Sequence, residues 1–562
     1  MPQSFSLMNI VKLQNLCWFS SSKSLKLRAV FLLWTCLILK SSANTFYIDP
    51  INGSDSGTGS MDNPWSTLEY VIEQQLIRSH EYSLPYDPAN SQLSVKNPNA
   101  PIHEGDTLLL MSGLHGSVYL ANYVNEDYIT ILAAPGQTPI IKFIHLRGAK
   151  KWRFVGLTIS SEPYGEYINS KLVFLETHNW QGPVSQIDIE GCTLYSTTSP
   201  WTTAEDWVNK ASDGIMARAC SFVNIINNDL QNVRFGIGLN GSNLYAIGNS
   251  ITNFSGDGIR LVGSNCIIES NVVKNCYQVD GNHDDGIQAF TTGGFVVDNN
   301  VIRRNIILNY EDPDQPLLGN LQGIACFDGP IQNWIVENNL VIVDHWHGIS
   351  LYGATHCSII NNTVLDPSPE DNIGPSWIKI EDLNGYPSSD CIVANNVANT
   401  LTFSTNSTTA TNNFELSTYN DYTDNFVSPS AYDFHLQPNS ILIDAADGSL
   451  APTDDLEGAS RPQGTGFDVG AYEYHFITRL QEGKADESVL LYPNPAKNTV
   501  FVKAGNNPIE SIQIYDLSGT MLKAFKGSAN FMNLDVKDLQ AGLYLFRVLT
   551  DEHFTVKKLF IQ

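Results

Sequence analysis

The sequence predicts a parallel β-helix, and three observations carry that prediction. A short unit recurs six times between Asp213 and Leu365, each opening on a Gly-Ile step and reaching an Asn-containing corner thirteen to sixteen residues later. The openings are SDGIMA, FGIGL, GDGIRL, DDGIQA, QGIACF and HGISLY; the corners are IINNDL, IGNSI, ESNVV, DNNVI, ENNLV and INNTV. The period starts at 22 residues, from Gly214 to Gly236 and again to Gly258, then lengthens to 28, 37 and 25. β-Branched runs at such a period, without helical spacing, describe coils that bury their apolar side only by stacking.

Parity within the coil gives its faces. Five and three residues before each corner stand Val223/Ile225, Leu244/Ala246, Cys266/Ile268, Phe295/Val297, Trp334/Val336, Cys357/Ile359 and Cys391/Val393, an apolar column that points inward. The corner asparagines Asn227, Asn299, Asn338 and Asn361 are expected to form an inward ladder. On the Gly-Ile strand the residue after Ile faces out: Met216, Gly238, Arg260, Gln288, Ala325 and Ser350. Two positions on, Phe290, Phe327 and Tyr352 form an aromatic strip, suited either to sugar rings or to cover by loops. Long connections follow Asn271, Asn300 and Asn362, so one edge of the coils carries loops that wall a groove.

Taken in order, the chain opens with Lys23, Lys26 and Arg28 before the apolar run Ala29–Leu39 and then Ser41-Ser42-Ala43, the pattern of a secretory signal over residues 1–43. That segment holds five Lys/Arg and no acid, so its removal lowers the formal net charge from −26 to −31. An acidic chain lacks the basic footprint of a nucleic-acid binder. No later apolar stretch is long enough for a transmembrane helix. Seven cysteines remain, read as small buried hydrophobes. Pro64 with Leu68, Val71, Ile72 and Gln75 predicts a capping helix. Residues 79–103 read as an irregular insertion, and Gly105–Gly113 and Tyr128–Gly136 as the first strands. The β-helix domain spans 44–478, residues 479–488 are a linker, and 489–562 form a small C-terminal β-sandwich of alternating strands.

The opening TFYIDPINGSDSGTGS and the segment from DFHLQPNSILID to DVGAYEY resemble the ends of secreted right-handed parallel β-helix proteins of the pectin-lyase-like superfamily. Asp454, Asp455, Arg461, Asp468 and Glu473 are expected to be structural there. Tyr492-Pro493-Asn494-Pro495, Gly542-Leu543-Tyr544 and Lys557-Lys558 resemble the C-terminal sorting domain of the type IX secretion system. That resemblance implies handling by the type IX machinery and a secreted or outer-membrane-surface location on a Bacteroidota-type cell.

Chemistry concentrates before the Gly-Ile glycines: Asp213, Phe235, Asp257, Asp285, Gln322 and His347, with Asp284 beside Asp285. Asp257, Asp284 and Asp285 on neighbouring coils raise one another's pKa unless a cation neutralises them, and calcium is the natural oxygen-bound partner. GDGIR and HDDGIQ resemble the calcium site of one group of bacterial pectate lyases, with Gln288 at the last acid and Ala325 where that family places its lysine base. Lys379 holds the equivalent position three coils on and Arg260 one coil back. Asp257-Gly258, Asp284-Asp285, His347-Gly348 and Trp377-Ile378-Lys379 also resemble the order of motifs in polygalacturonases.

The expected function is a polysaccharide-degrading enzyme, first a calcium-assisted lyase on a uronate-containing chain. The alternatives are an inverting hydrolase and a non-catalytic glycan-binding protein. Arg260, His283, Lys379 and His347 are the catalytic candidates. Gln288, Phe290, Phe327 and Tyr352 are the substrate-binding ones, and Asp257, Asp284 and Asp285 the metal ligands. The partner is an acidic polysaccharide, with no nucleic acid, and a monomer is expected.

Overall fold

A computed structural model describes residues 43–475 and 489–561 apart from short gaps at 292–293, 370–373, 384, 404–407, 506–507, 517–520 and 551–552. Residues 1–42 of the expected signal segment (1–43) and the expected linker (479–488) lie outside the described residues. The rest of the N-terminal part is a parallel β-helix. Its coils stack two long sheets: one of 22 strands, which bends round two faces, and one of 12. Strands such as Ile144–Val155 and Asp213–Ile226 run through the bend, pairing with one neighbour before it and another after it. The inward residues Ile215, Ile237, Ile259, Ile287, Ile324, Ile349 and Ile378 are buried in one continuous core.

The Gly-Ile glycines have a steric cause. A Cβ built on Gly214, Gly236 or Gly323 would come within 2.4 Å, 2.3 Å or 2.1 Å of the carbonyl oxygen of the equivalent glycine on the next coil. At this corner the backbones approach too closely for any side chain.

The asparagine ladder exists but sits one residue later than expected. Asn228, Asn249, Asn271, Asn305, Asn339, Asn362, Asn396 and Asn413 each follow one another, the side-chain oxygen of one accepting the backbone N–H and the amide of the one before. Asn227, Asn338 and Asn361 instead occupy left-handed backbone at the corner, with φ of 54°, 53° and 54°. Asparagine tolerates that conformation because its side chain bonds locally. Asn299 belongs to a different turn, bonding Asn265, while its coil reaches the ladder at Arg304-Asn305. Phe295, counted as inward from that false corner, is 77 % exposed.

At the N-terminal end Thr67 caps the helix Leu68–Glu73, and Leu68 and Val71 pack into the core. Thr45–Ile48 pairs parallel with Thr107–Leu110, so the coil begins one strand earlier than the sequence indicated. The insertion at 79–103 contains an antiparallel pair, Ser79–Tyr82 with Leu93–Lys96. At the other end Arg461 and Glu473, both side chains fully buried, meet at 2.9 Å, and Arg461 also bonds Asn338 and the carbonyls of Asp468 and Gly470. Asp455 and Asp468 accept backbone N–H groups beside them, and Asp454 pairs with Arg304. These acids hold the closing segment in place, as expected. The cysteines Cys192, Cys220, Cys266, Cys276, Cys326, Cys357 and Cys391 are free and buried.

The C-terminal part is a β-sandwich of antiparallel sheets, one of three strands and one of four, around a shared core including Val500, Ile512, Phe546 and Leu559. Among the described residues no helix is long and apolar enough to cross a membrane.

Candidate functional site

The Gly-Ile sheet presents one outward column across successive coils. Its register runs Met216, Gly238, Arg260, Gln288, Ala325, Ser350 and Lys379. Two of the three loops predicted to wall it, those after Asn271 and Asn300, are tied to each other and to a helix ahead of Asp213. Trp207, in the helix Ala204–Lys210, packs against Tyr277 with ring centres 5.0 Å apart. Leu317 joins that cluster, and Gln315 donates to the carbonyl of Cys276. Arg234 anchors the 277–284 loop through Asp280 at 3.2 Å.

On this frame the structure brings together Asp257, Arg260, His283, Asp285 and Gln288. Asp257 and Asp285 are both fully buried. Arg260 Nε donates to Asp257 Oδ2 at 2.5 Å, and the backbone N–H of Asp285 donates to Asp257 Oδ1 at 3.2 Å. Arg260 also lies over the ring of Phe235, 3.5 Å from its centre. Asp285 Oδ2 is shared by His283 Nδ1 at 3.3 Å and Gln288 Nε2 at 3.1 Å, whereas its Oδ1 is buried without a partner. The His283 side chain is 59 % exposed.

The electrostatics follow from this packing. Burial pushes the Asp285 carboxyl up to about 7, and the neighbouring Asp257 adds to the shift while His283 opposes it. The bond to Asp285 raises His283 above its ordinary value. Burial also raises Asp257, against the opposing pull of Arg260. Strongly coupled groups of this kind titrate as a pair. With Asp285 ionised and His283 neutral, the imidazole proton sits on Nδ1, against Asp285 Oδ2. In that form Nε2 is a free base held in one orientation.

The expected calcium ligands do not fit together as a cage. Asp284 turns away from the groove, its Oδ1 taken by Asn282 at 2.9 Å and its Oδ2 facing Cys276 Sγ at 3.5 Å. Burial pushes it up to about 7 as well. Both oxygens of Asp257 are engaged, one by a guanidinium. Among the described residues no group of three or more His, Cys, Asp or Glu is arranged to hold a metal ion. The Arg260 guanidinium places a positive charge against Asp257.

Two to three coils away lies a separate cluster. His347 Nδ1 is 3.0 Å from Ser350 Oγ, which also accepts from Trp377 Nε1 at 2.9 Å. The buried Ser350 hydroxyl thus bridges the Trp377 indole and the His347 imidazole. Burial holds His345 and His347 down at about 4, so both are neutral. Their rings stack at 5.2 Å.

Lys379, placed by sequence at the base position, is bound to Glu381 at 2.5 Å and its pKa is raised by that bond. An ammonium so held is a cation, not a base. Phe327 packs against Tyr352 at 5.2 Å and His347 at 4.6 Å. Phe290 drops out of the strip because a bulge pairs it with Asp328. Ser350 and Glu381 were not singled out for a role; a Ser in the outward column beneath a Trp is the only signal that marks the first.

Residues 143–364 match the model of the right-handed β-helix region, and residues 490–562 match the model of the secretion system C-terminal sorting domain. No curated protein matches the chain. Solved structures resembling it include pectate lyase Pel9A, at 15% identity over 77% of this chain and 97% of that one, with a TM-score of 0.39. Another is GH136 lacto-N-biosidase from Eubacterium ramulus, at 13% over 66% and 67%, with a TM-score of 0.37. A third is PfbA, a surface adhesin of Streptococcus pneumoniae, at 11% over 56% and 77%, with a TM-score of 0.28. The chain is a right-handed parallel β-helix protein that carries a type IX secretion C-terminal sorting domain.

Proposed function

We propose that the protein is an exported or surface-held polysaccharide lyase that acts on a uronate-containing chain without a resident metal. One observation carries the reading: a fully buried Asp285 bonds the exposed imidazole of His283, and its own N–H bonds the Asp257 that holds Arg260 on the neighbouring coil. In β-elimination the proton on the carbon next to the uronate carboxylate moves to His283 Nε2. Its electron pair forms the new carbon–carbon double bond as the glycosidic C–O bond breaks. The departing oxygen takes a proton from solvent. Arg260, fixed by Asp257, faces the sugar carboxylate and stabilises the charge that builds on it. Asp285 stabilises the imidazolium that forms, and Gln288 holds Asp285 in place. Phe327 and Tyr352 offer apolar faces to neighbouring rings.

Inverting hydrolysis is supported less well. It needs a water held between two carboxylates about 6.5–9.5 Å apart. Here Asp257 is filled by Arg260 and the Asp285 N–H, and both acids are buried.

Incubation with a panel of uronate and neutral polysaccharides, with and without a chelator, tests this reading. It expects a chelator-insensitive rise in the ultraviolet absorbance of unsaturated uronate. Reducing ends without that absorbance would mean hydrolysis, binding without product an adhesin, and loss on chelation a calcium-assisted lyase.

A further inference from the structure

Five coils before Arg260, the same outward column begins with three aromatic rings. Tyr119 pairs in register with His145, His145 with Phe174, Phe174 with Met216, Met216 with Gly238 and Gly238 with Arg260. Tyr119 packs edge-on to His145 with ring centres 5.3 Å apart, and His145 lies 4.9 Å from Phe174. The thioether of Met216 covers the bare position at Gly238, where a Cβ would come within 2.7 Å of its sulfur. The track therefore presents three rings, a thioether and a bare glycine from Tyr119 to Gly238.

Cations border it. Glu176, buried, accepts from Arg147 Nε at 2.6 Å and His145 Nε2 at 3.0 Å, and Arg218 closes on its other oxygen. One carboxylate thus faces two guanidinium groups. Burial, then Arg147 and Arg218, hold His145 down at about 4, so the imidazole adds no charge and serves as a ring. The Arg218 side chain is 57 % exposed, and its guanidinium sits 5.3 Å from the centre of Phe174. Lys171 approaches the same ring at 5.4 Å. Tyr119 is 44 % exposed. Lys171 pairs with Asp213 and Glu69 and Glu73 lie near Tyr119, so the local positive excess is the second guanidinium on Glu176, beside Phe174.

We infer that Tyr119, His145 and Phe174, with Arg147 and Arg218, form a distal binding site for the same anionic polysaccharide, gripping carboxylates of sugars remote from the reacting one. The site rests on the proposed reading for its substrate class, but not for its existence. Coils lie about 4.8 Å apart, so the five steps from Tyr119 to Arg260 cover about 24 Å, the length of roughly four or five sugars. Rings supply faces for the apolar side of each pyranose, and guanidinium groups pair with carboxylates.

Calorimetry on the full-length chain tests this with polygalacturonate, alginate, dextran sulfate and a neutral glucan, together with uronate oligomers of about three and about eight sugars, the latter chosen to outreach the track. At least one uronate polymer should bind, more weakly as salt rises. Tyr119→Ala and the double variant Phe174→Ala/Arg218→Gln should each lower affinity for the long oligomer by about tenfold and leave the short one within about twofold, since only the long one reaches the track. Tyr119→Ala leaves Glu176 and its partners in place, so it reports even where the double variant misfolds. The inference falls if no uronate polymer binds, if dextran sulfate binds as tightly, or if Tyr119→Ala binds the long oligomer as the wild type does. Track-dependent binding without turnover of any polymer upholds the site and overturns the lyase; turnover with unchanged affinity in Tyr119→Ala does the reverse.

Discussion

Two columns of polar side chains run along this solenoid, and they behave differently. The inner one, from Asn228 to Asn413, is buried and saturated: each amide both donates and accepts along the stack. The outer one, Asp257, Asp285, Gln322 and His347, is also largely buried, yet Asp285 Oδ1 and Gln322 Oε1 have no partner. Its acids are forced upward in pKa. Satisfied repetition is what a stack needs to hold together. An unsatisfied, charge-frustrated column weakens the stack, and it sits where the loops rise and an imidazole reaches solvent. Strain of this kind concentrates at functional positions.

Substitutions in the two columns should separate stability from activity. The largest effect is on turnover: His283→Ala should lower it about 10²- to 10⁴-fold, the range of a lost general base, while the unfolding midpoint stays unchanged. Steady-state kinetics with thermal melts checks this; a melting loss that tracks the activity loss would place His283 in the structure instead. Asn305→Ala is the mirror image. It strands the N–H groups of Asn271, so stability should fall by about 1–3 kcal/mol per buried group left unpaired. Denaturant unfolding measures that loss, and kcat per folded molecule should hold. Smallest is Lys379→Ala. Its partly exposed pair with Glu381 contributes about 0–1 kcal/mol, so kcat/KM should move by less than about fivefold. A thousandfold drop there would make Lys379 the base and return the site to the pectate-lyase pattern.

Much of the architecture was legible because burial repeats with the coil, so Gly-Ile spacing and the Ile/Val columns suffice to place the strands. The ladder slipped by one residue for a local reason. In IINN, ENN and INN the first asparagine takes left-handed backbone and the second turns inward, and the doublet alone does not say which. DNN misled further, since it marks a turn that precedes the true corner at Arg304-Asn305. At the site, the acid column and Arg260, His283 and Gln288 were visible from register. What alternation does not fix is side-chain direction beside a turn: Asp284 folds back on Cys276 and Arg260 swings onto Asp257. Those two rotations set the arrangement apart from the carboxylate cluster expected from the sequence. The bulge that removes Phe290 from the strip is likewise invisible to a count of two.

Asp285→Asn, measured for turnover and for unfolding midpoint at pH 5 and pH 8, tests the central claim most directly. A carboxyl raised from 3.8 to about 7 by folding stabilises the native state while protonated, and that contribution is lost as pH climbs from about 4 through about 7. Asparagine mimics the protonated form at every pH. The variant should therefore melt slightly above the wild type at pH 5 and further above it at pH 8, and lose at least about a hundredfold in turnover at pH 8, a gap that narrows at pH 5 where the wild-type carboxyl is itself largely protonated. A variant that melts lower at pH 8 yet keeps its activity per folded molecule would make Asp285 a structural acid, and the dyad with His283 would no longer explain the site.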